Sequence, residues 1–296
     1  MANVLVEESC LSSIANAIRG KNGLTTTYTP AQMATAITAI PTGGDDSTIL
    51  SLIERTLTSY SNSAVSIIGY AAFGSCLNLT TVDIPNCTSI SDNAFTYCSK
   101  LTTISAPNCV TIRTNAFFNC YKLPTINMPN CTVIGSYAFR ACSSLTEINF
   151  SKVSSIYTGA FMGCGSLQSV TFSSCKSLGT SVFNSCHFLS NVSLPKCSSV
   201  GSNAFDYCSS LSTISLPSCA NLYGYAFRGC VRLISLYLMG SSVCRLSSST
   251  VFMSTPISTY SNIAGQYGSI YVPSSLYATY IASTNWVRFK SRFVSM

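Results

Sequence analysis

Apolar and polar positions along this chain return in one frame from Ile68 to Val243. Each 22-residue block opens on Ile, Leu or Val, then carries Phe at its sixth place, Cys at its ninth and Leu at its twelfth. Ile90–Thr111, ISDNAFTYCSKLTTISAPNCVT, is representative. Blocks begin at Ile68, Ile90, Ile112, Ile134, Ile156, Leu178, Val200 and Leu222 without an insertion or deletion. Eight in-phase copies predict a solenoid, an array that grows along one axis by stacking one coil per repeat. A single repeat buries too little to offset the ordering of its own backbone, so stacking is obligatory and both ends of the array need covering.

Each block divides into two halves. In LTTVDIPNC (Leu79–Cys87) the alternation predicts a strand with Val82 and Ile84 inward and Thr81 and Asp83 outward. Pro85, Pro107, Pro129, Pro195 and Pro217 follow that strand and help to end it, since proline cannot donate to a continuing ladder. The other half carries Ala72-Phe73, Ala94-Phe95, Ala116-Phe117 and their counterparts: close backbone approach plus one large plug per coil, on an expected short helical or 3₁₀ turn.

The flanks read differently. Residues 1–44 show Leu11, Ile14, Ala15 and Ile18 at helical spacing, then a capping box at Thr29-Pro30-Ala31-Gln32 and a breaker at Pro41-Thr42-Gly43-Gly44. Residues 45–67 are expected to form an N-terminal cap: a helix opening on Asp45-Asp46-Ser47 with Leu50, Ile53 and Leu57, then a degenerate half-repeat with Val65 in the place of Cys87. Residues 68–243 are the eight repeats. In 244–296, an irregular last coil and C-terminal cap, Val251-Phe252 resembles the Ala-Phe pair displaced by three residues. Gly268–Pro273 there reads as a last strand, and Leu276, Tyr277, Tyr280, Ile281 and Trp286 are expected to fold over the exposed end.

Composition sharpens this picture. Of 296 residues only 8% are charged, so the surface is built from small hydroxyls and amides rather than ion pairs. The net charge of +7 is uneven, and Arg245, Arg288, Lys290 and Arg292 near the C-terminus have no acid beside them in sequence. That cluster is too sparse for a nucleic-acid stripe. No apolar run approaches the ~18 residues of a membrane span, and MANVLVEESC lacks the pattern of a cleavable leader, so membrane insertion is not expected.

Sixteen cysteines first suggest a disulfide or zinc frame. Eight of them (Cys76, Cys98, Cys120, Cys142, Cys164, Cys186, Cys208 and Cys230) hold the ninth place, and six hold the twentieth, where Val153 and Ser241 are the exceptions. Coils stacked at ~4.8 Å carry parallel Cβ vectors, a poor match to a disulfide's ~3.8 Å facing Cβ atoms. Zinc is disfavoured by the absence of a C-x-x-C pair and by the single histidine, His187. Buried thiols are the favoured reading, with some disulfides or a metal as the alternatives. Cys10 and Cys244 fall outside the pattern.

The blocks, written I-x-x-x-A-F-x-x-C-x-x-L-x-x-I-x-L-P, resemble the BspA-like leucine-rich repeats over about 60% of the chain. The resemblance implies an α/β-type repeat solenoid: a right-handed, curved stack with one parallel β-sheet face, short helical or 3₁₀ turns opposite, and capped ends. It also implies adhesion or protein and cell-surface binding, and no enzyme activity. Val182 replaces the Ala before Phe183, and Ser151, Ser173 and Met239 replace the proline, which should loosen local geometry only. Separately, IANAIRGKNGLTTTYTPAQMATAITAIP looks like a short module near the N-terminus of tail-associated proteins in phages and prophages of gut Firmicutes. A generic helical hairpin packing on the solenoid end is the alternative.

Catalysis has little to work with: nine scattered carboxylates, one histidine and no nucleophile–base constellation, so neither enzyme activity nor a cofactor is expected. The outward strand positions instead form two columns. One reads Thr81, Thr103, Thr125, Glu147, Ser169, Asn191, Thr213, Ser235; the other reads Asp83, Ser105, Asn127, Asn149, Thr171, Ser193, Ser215, Tyr237. This field of hydroxyls and amides is the candidate binding face for a protein or cell-surface glycan, at a cell surface or on a phage virion; an inert spacer is the alternative. On the turns, Tyr97, Phe118, Tyr121, Met162, Phe188 and Tyr207 are expected to be partly exposed or packed between neighbouring turns.

Overall fold

The computed structural model describes residues 56–258 and 267–296. The expectations for residues 1–44, for the helix opening at Asp45 and for Cys10 lie outside the described residues. From Ser59 onward the described residues form a stack of coils whose strands pair in parallel from one coil to the next, with two breaks. The register equals the repeat, so Thr81 lies beside Thr103 and Ile90 beside Ile112.

Two parallel ladders run along the stack where one was expected. The first consists of the predicted three-residue strands, such as Thr81–Asp83 and Thr103–Ser105. The second is a nine-stranded sheet of two-residue strands from Ile67–Ile68 to Arg245–Leu246. It arises where each repeat begins: Ile90 points inward beside the half-buried Ser89, and flanking amides such as Thr88 N→Ser66 O and Ser91 N→Ile68 O carry the pairing outward.

The first ladder is divided into groups of three, two and six strands. One division falls at Pro124, which stands where Thr80, Thr102 and Thr146 donate their amides to the coil before; proline has no amide to donate. The other falls beside Phe150 and Phe172, two buried rings at a place where other coils carry Ile, Ala, Met or Leu.

The Ala-Phe segment is a turn and not the expected helical or 3₁₀ piece. Its amides alternate in use. Asn93, Phe95 and Tyr97 donate forward to Thr114, Ala116 and Phe118 of the next coil, while Ala94, Thr96 and Cys98 donate back three residues within their own coil. A helix would direct every amide inward along its own axis and leave the neighbouring coil unpaired. Two residues in each of the eight repeats take positive φ to achieve this, for example Asn93 at 58° and Tyr97 at 59°. Among the described residues helix occurs only after the repeats: 3₁₀ segments at Ser249–Phe252 and Val287–Arg292, and α1 at Ser274–Ala282.

The interior is built of columns. Phe73, Phe95, Phe117, Phe139, Phe161, Phe183, Phe205, Phe227 and Phe252 stack in series, the ring centroids 5.1 Å apart between Phe73 and Phe95 and 5.8 Å between Phe227 and Phe252. Phe252 continues the column across the three-residue slip in phase. Cys244 does the same for the second cysteine column. Its Sγ lies 3.4 Å from that of Cys219, so it belongs to the pattern after all, and Ser241, outside the column, is no exception to it.

All fifteen described cysteines are buried thiols that form no disulfide with one another. From Cys98 onward the ninth-place thiols donate to the Phe carbonyl one coil earlier, as Cys98 does to Phe73 O at 3.0 Å. Twentieth-place thiols donate within their own coil, as Cys87 does to Ser89 O at 3.3 Å. Burial pushes the thiol pKa up to about 12 at Cys131, Cys142 and Cys175.

After the repeats, strand Ser269–Val272 pairs with Ser235–Tyr237, and Phe293–Ser295 adds one strand beyond the one expected to be last. Tyr280 and Trp286 are buried, and Leu276, Tyr277 and Ile281 pack against the core. Side chains here occupy groups that a further coil would otherwise meet: Trp286 Nε1 donates to Cys244 O at 2.6 Å and Asn285 Nδ2 to Leu246 O at 2.7 Å.

Candidate binding surface

The three-residue strands hold their outward side chains in line because parallel, in-register pairing sets each above its counterpart. Thr81, Asp83, Thr103, Thr125, Asn127, Glu147, Asn149, Ser169, Thr171, Asn191, Ser193, Thr213 and Ser215 are exposed, and Ser105, Ser235 and Tyr237 are half-buried. The columns therefore come together as one field. Within it, the only side-chain hydrogen bond among the described residues joins Asn149 Nδ2 to Asn127 Oδ1 at 2.9 Å. At the C-terminal end the field turns aromatic, where Tyr237 stacks on Tyr271 with centroids 4.4 Å apart.

The residues beside the field behave oppositely. Thr80, Thr102 and Thr146, one place before the strand, turn their hydroxyls onto the backbone carbonyls of Thr58, Thr80 and Pro124 in the preceding coil. Thr88, Thr132 and Ser198 do so along the second ladder. Asn86, Asn108 and Asn130 donate their amides to the carbonyls of Ser63, Pro85 and Pro107. These polar residues stitch coil to coil, whereas the strand columns carry one side-chain hydrogen bond among the described residues.

On the turns, Tyr97, Tyr121, Phe188 and Tyr207 are exposed, while Phe118 and Met162 are half-buried. The sequence reading missed one polar cluster here. Asp206 is fully buried and accepts from Arg228 Nε at 2.8 Å, from Asn203 Nδ2 at 3.0 Å and from Asn184 Nδ2 at 3.2 Å, with a second contact to Arg228 Nη2. Its hydrogen bonds to Arg228 raise that guanidinium's pKa above its ordinary value. The available signal was Arg228 one repeat after Asp206, with Asn203 three residues before it.

Among the described residues no group of three or more His, Cys, Asp or Glu is placed to hold a metal ion. No described helix is long and apolar enough to cross a membrane.

A model of the BspA type leucine rich repeat region matches the chain at residues 66–189, 110–234 and 154–271. The chain belongs to this family. BspA type leucine-rich repeat proteins are of a kind typically used for protein binding or adhesion, and are typically non-enzymatic scaffolds. No curated protein matches the chain.

Among solved structures, this BspA type chain is similar to a leucine rich repeat protein of T. pallidum, with 33% identity over 46% of this chain and 65% of that one, at a TM-score of 0.44. It is also similar to a leucine rich cell surface protein of Faecalibacterium prausnitzii, with 20% identity over 81% of this chain and 78% of that one, at a TM-score of 0.46. A leucine-rich repeat protein of Eubacterium ventriosum shares 16% identity over 78% of this chain and 85% of that one, at a TM-score of 0.42.

Proposed function

We propose that this protein is a non-enzymatic adhesin or binding protein whose strand columns meet a protein or glycan partner. The observation that carries the reading is the division of labour among its polar residues. Seam hydroxyls such as that of Thr102 hydrogen-bond to the neighbouring coil, while Thr81, Thr103 and Thr125 leave their donors and acceptors open at regular spacing. A partner that fills such open groups replaces water with fixed hydrogen bonds, and the rigid stack has little conformational freedom left to lose on binding. The exposed face of a solenoid is a common site for such contacts.

In this reading the residues after Val243 cap the array and residues 1–44 attach it, at a cell surface or on a phage tail. The attachment role rests on the resemblance of that N-terminal segment. A pure spacer, with the repeats setting length alone, is the second reading; the sparse charge of the face favours it.

The test uses the full chain, fluorescently labelled, on a panel of bacterial and host cells together with glycan and matrix arrays. Staining that is lost in a Thr103→Lys, Thr125→Lys variant of unchanged melting temperature is the expected result. Staining that survives those substitutions sinks the strand-face reading, and no staining on any surface leaves the spacer.

A further inference from the structure

Arg140 and Arg228 occupy the same place in repeats four apart, and each guanidinium lies over two aromatic rings, one of them at an equivalent place (Tyr137 and Tyr225). The Arg228 guanidinium lies over Tyr207 and Tyr225, 5.3 and 5.0 Å from their centroids. Arg140 lies over Phe118 and Tyr137, at 5.2 and 5.6 Å. In each cage one ring rests on a glycine of the following coil: a Cβ added at Gly159 would collide with Tyr137, and one at Gly229 would lie 2.7 Å from Tyr207. These rings are thereby fixed, and guanidinium groups stacked on them are presented in a set orientation.

Two residues of the preceding coil separate the cages: Asp206 and Tyr207 beside Arg228 stand where Phe118 and Asn119 stand beside Arg140. Around Arg228 the preceding coil supplies Asp206, held also by Asn203. Around Arg140 the residue equivalent to Asn203 is present as Asn115, but the carboxylate is replaced by Phe118. Among the described residues no acid pairs with Arg140, which is exposed, whereas Arg228 is half-buried.

We infer that Arg140 is a binding point for a carboxylate brought by a ligand, and that this ligand is a carboxylated sugar. The internal ion pair at Arg228 shows which group an arginine stacked at this place of the repeat can take. Planar guanidinium and carboxylate meet through two parallel hydrogen bonds, which gives orientation as well as attraction. The neighbourhood selects the carrier. Tyr97 and Tyr121 expose rings on the adjoining turns, and such amphipathic surfaces suit the C–H faces and hydroxyls of a sugar ring. An acidic peptide would instead be matched by a field of several cations, and the column holding Arg140 runs Thr96, Phe118, Arg140, Met162 with a single charge. The site is separate from the strand columns, and the failure of either reading leaves the other standing.

The experiment passes the full chain over immobilised glucuronic acid and N-acetylneuraminic acid conjugates, with uncharged glucose and galactose conjugates and a poly-glutamate peptide alongside. Binding is expected to the acidic sugars alone. Arg140→Gln should weaken it by about tenfold or more, the size of a lost charge-assisted hydrogen bond. Phe118→Asp should weaken it similarly, because it supplies the internal carboxylate that Asp206 supplies to Arg228; its melting temperature shows that the coil is intact. Lys122→Gln should stay within about twofold, as expected of a screened surface charge. Binding to the peptide but not to the sugars, acidic-sugar binding that survives both substitutions at the cage, or no binding to any conjugate overturns the proposal.

Discussion

Thr102 and Thr103 are adjacent and chemically identical, yet they belong to different parts of the molecule. The Thr102 hydroxyl donates to Thr80 O at 3.0 Å across the seam between coils, while Thr103 stands outward on the strand with its hydroxyl unengaged. The same contrast recurs along the stack. Seam residues convert side-chain polarity into inter-coil bonds, and strand columns keep it available. A solenoid with few charges thus holds itself together with hydroxyls, thiols and stacked rings, and presents other hydroxyls to the outside.

This contrast can be tested from the interior outward. The largest effect expected is alkaline unfolding. Buried thiols have folded pKa values raised above their ordinary value near 9, to about 12 at Cys131, Cys142 and Cys175. The folded state therefore holds more protons, and stability is full below pH 9 and falls as pH rises from there toward 12. A denaturant midpoint that stays flat over that window would remove the thiols from the account.

Phe117→Ala comes next. Its ring stacks between Phe95 and Phe139 at 5.2 and 5.1 Å, and the cavity should cost about 3–5 kcal/mol in chemical unfolding. Smaller still is the seam itself. Replacing Thr80, Thr102 and Thr146 together by Val should cost about 2 kcal/mol, since each removes one partly solvated hydrogen bond. The smallest effect belongs to the strand face: Thr81, Thr103 and Thr125 replaced by Val should shift stability by about 0.5 kcal/mol or less per site. Equal costs for the two triple variants would erase the distinction between seam and face.

The interior columns were legible because a fixed repeat places every equivalent residue alike: Phe95, Cys98 and Leu101 are buried as their phase required. Outward positions such as Thr81 and Asp83 followed from simple alternation. Less was legible where function and strain depend on the neighbour one coil away. Two-residue strands such as Ser89–Ile90 are too short to leave a periodic pattern, and they exist only because the next coil pairs with them. Tyr97 and Asn93 adopt positive φ at places that residue type alone does not mark, since Ala71 and Ser181 do the same elsewhere.

The repeat by itself determined that this chain stacks, which residues form its core and which line its strands. Hydrophobic phase does that, because one register buries every plug at once. Which polar groups find a partner in the neighbouring coil was shown by the tertiary structure. Asp206 and Phe118 share a place in the repeat, yet one coil closes an ion pair around Arg228 and the other leaves Arg140 open. A side chain's hydrogen-bonding partner lies a full turn of the stack away, and only the folded stack brings the two together.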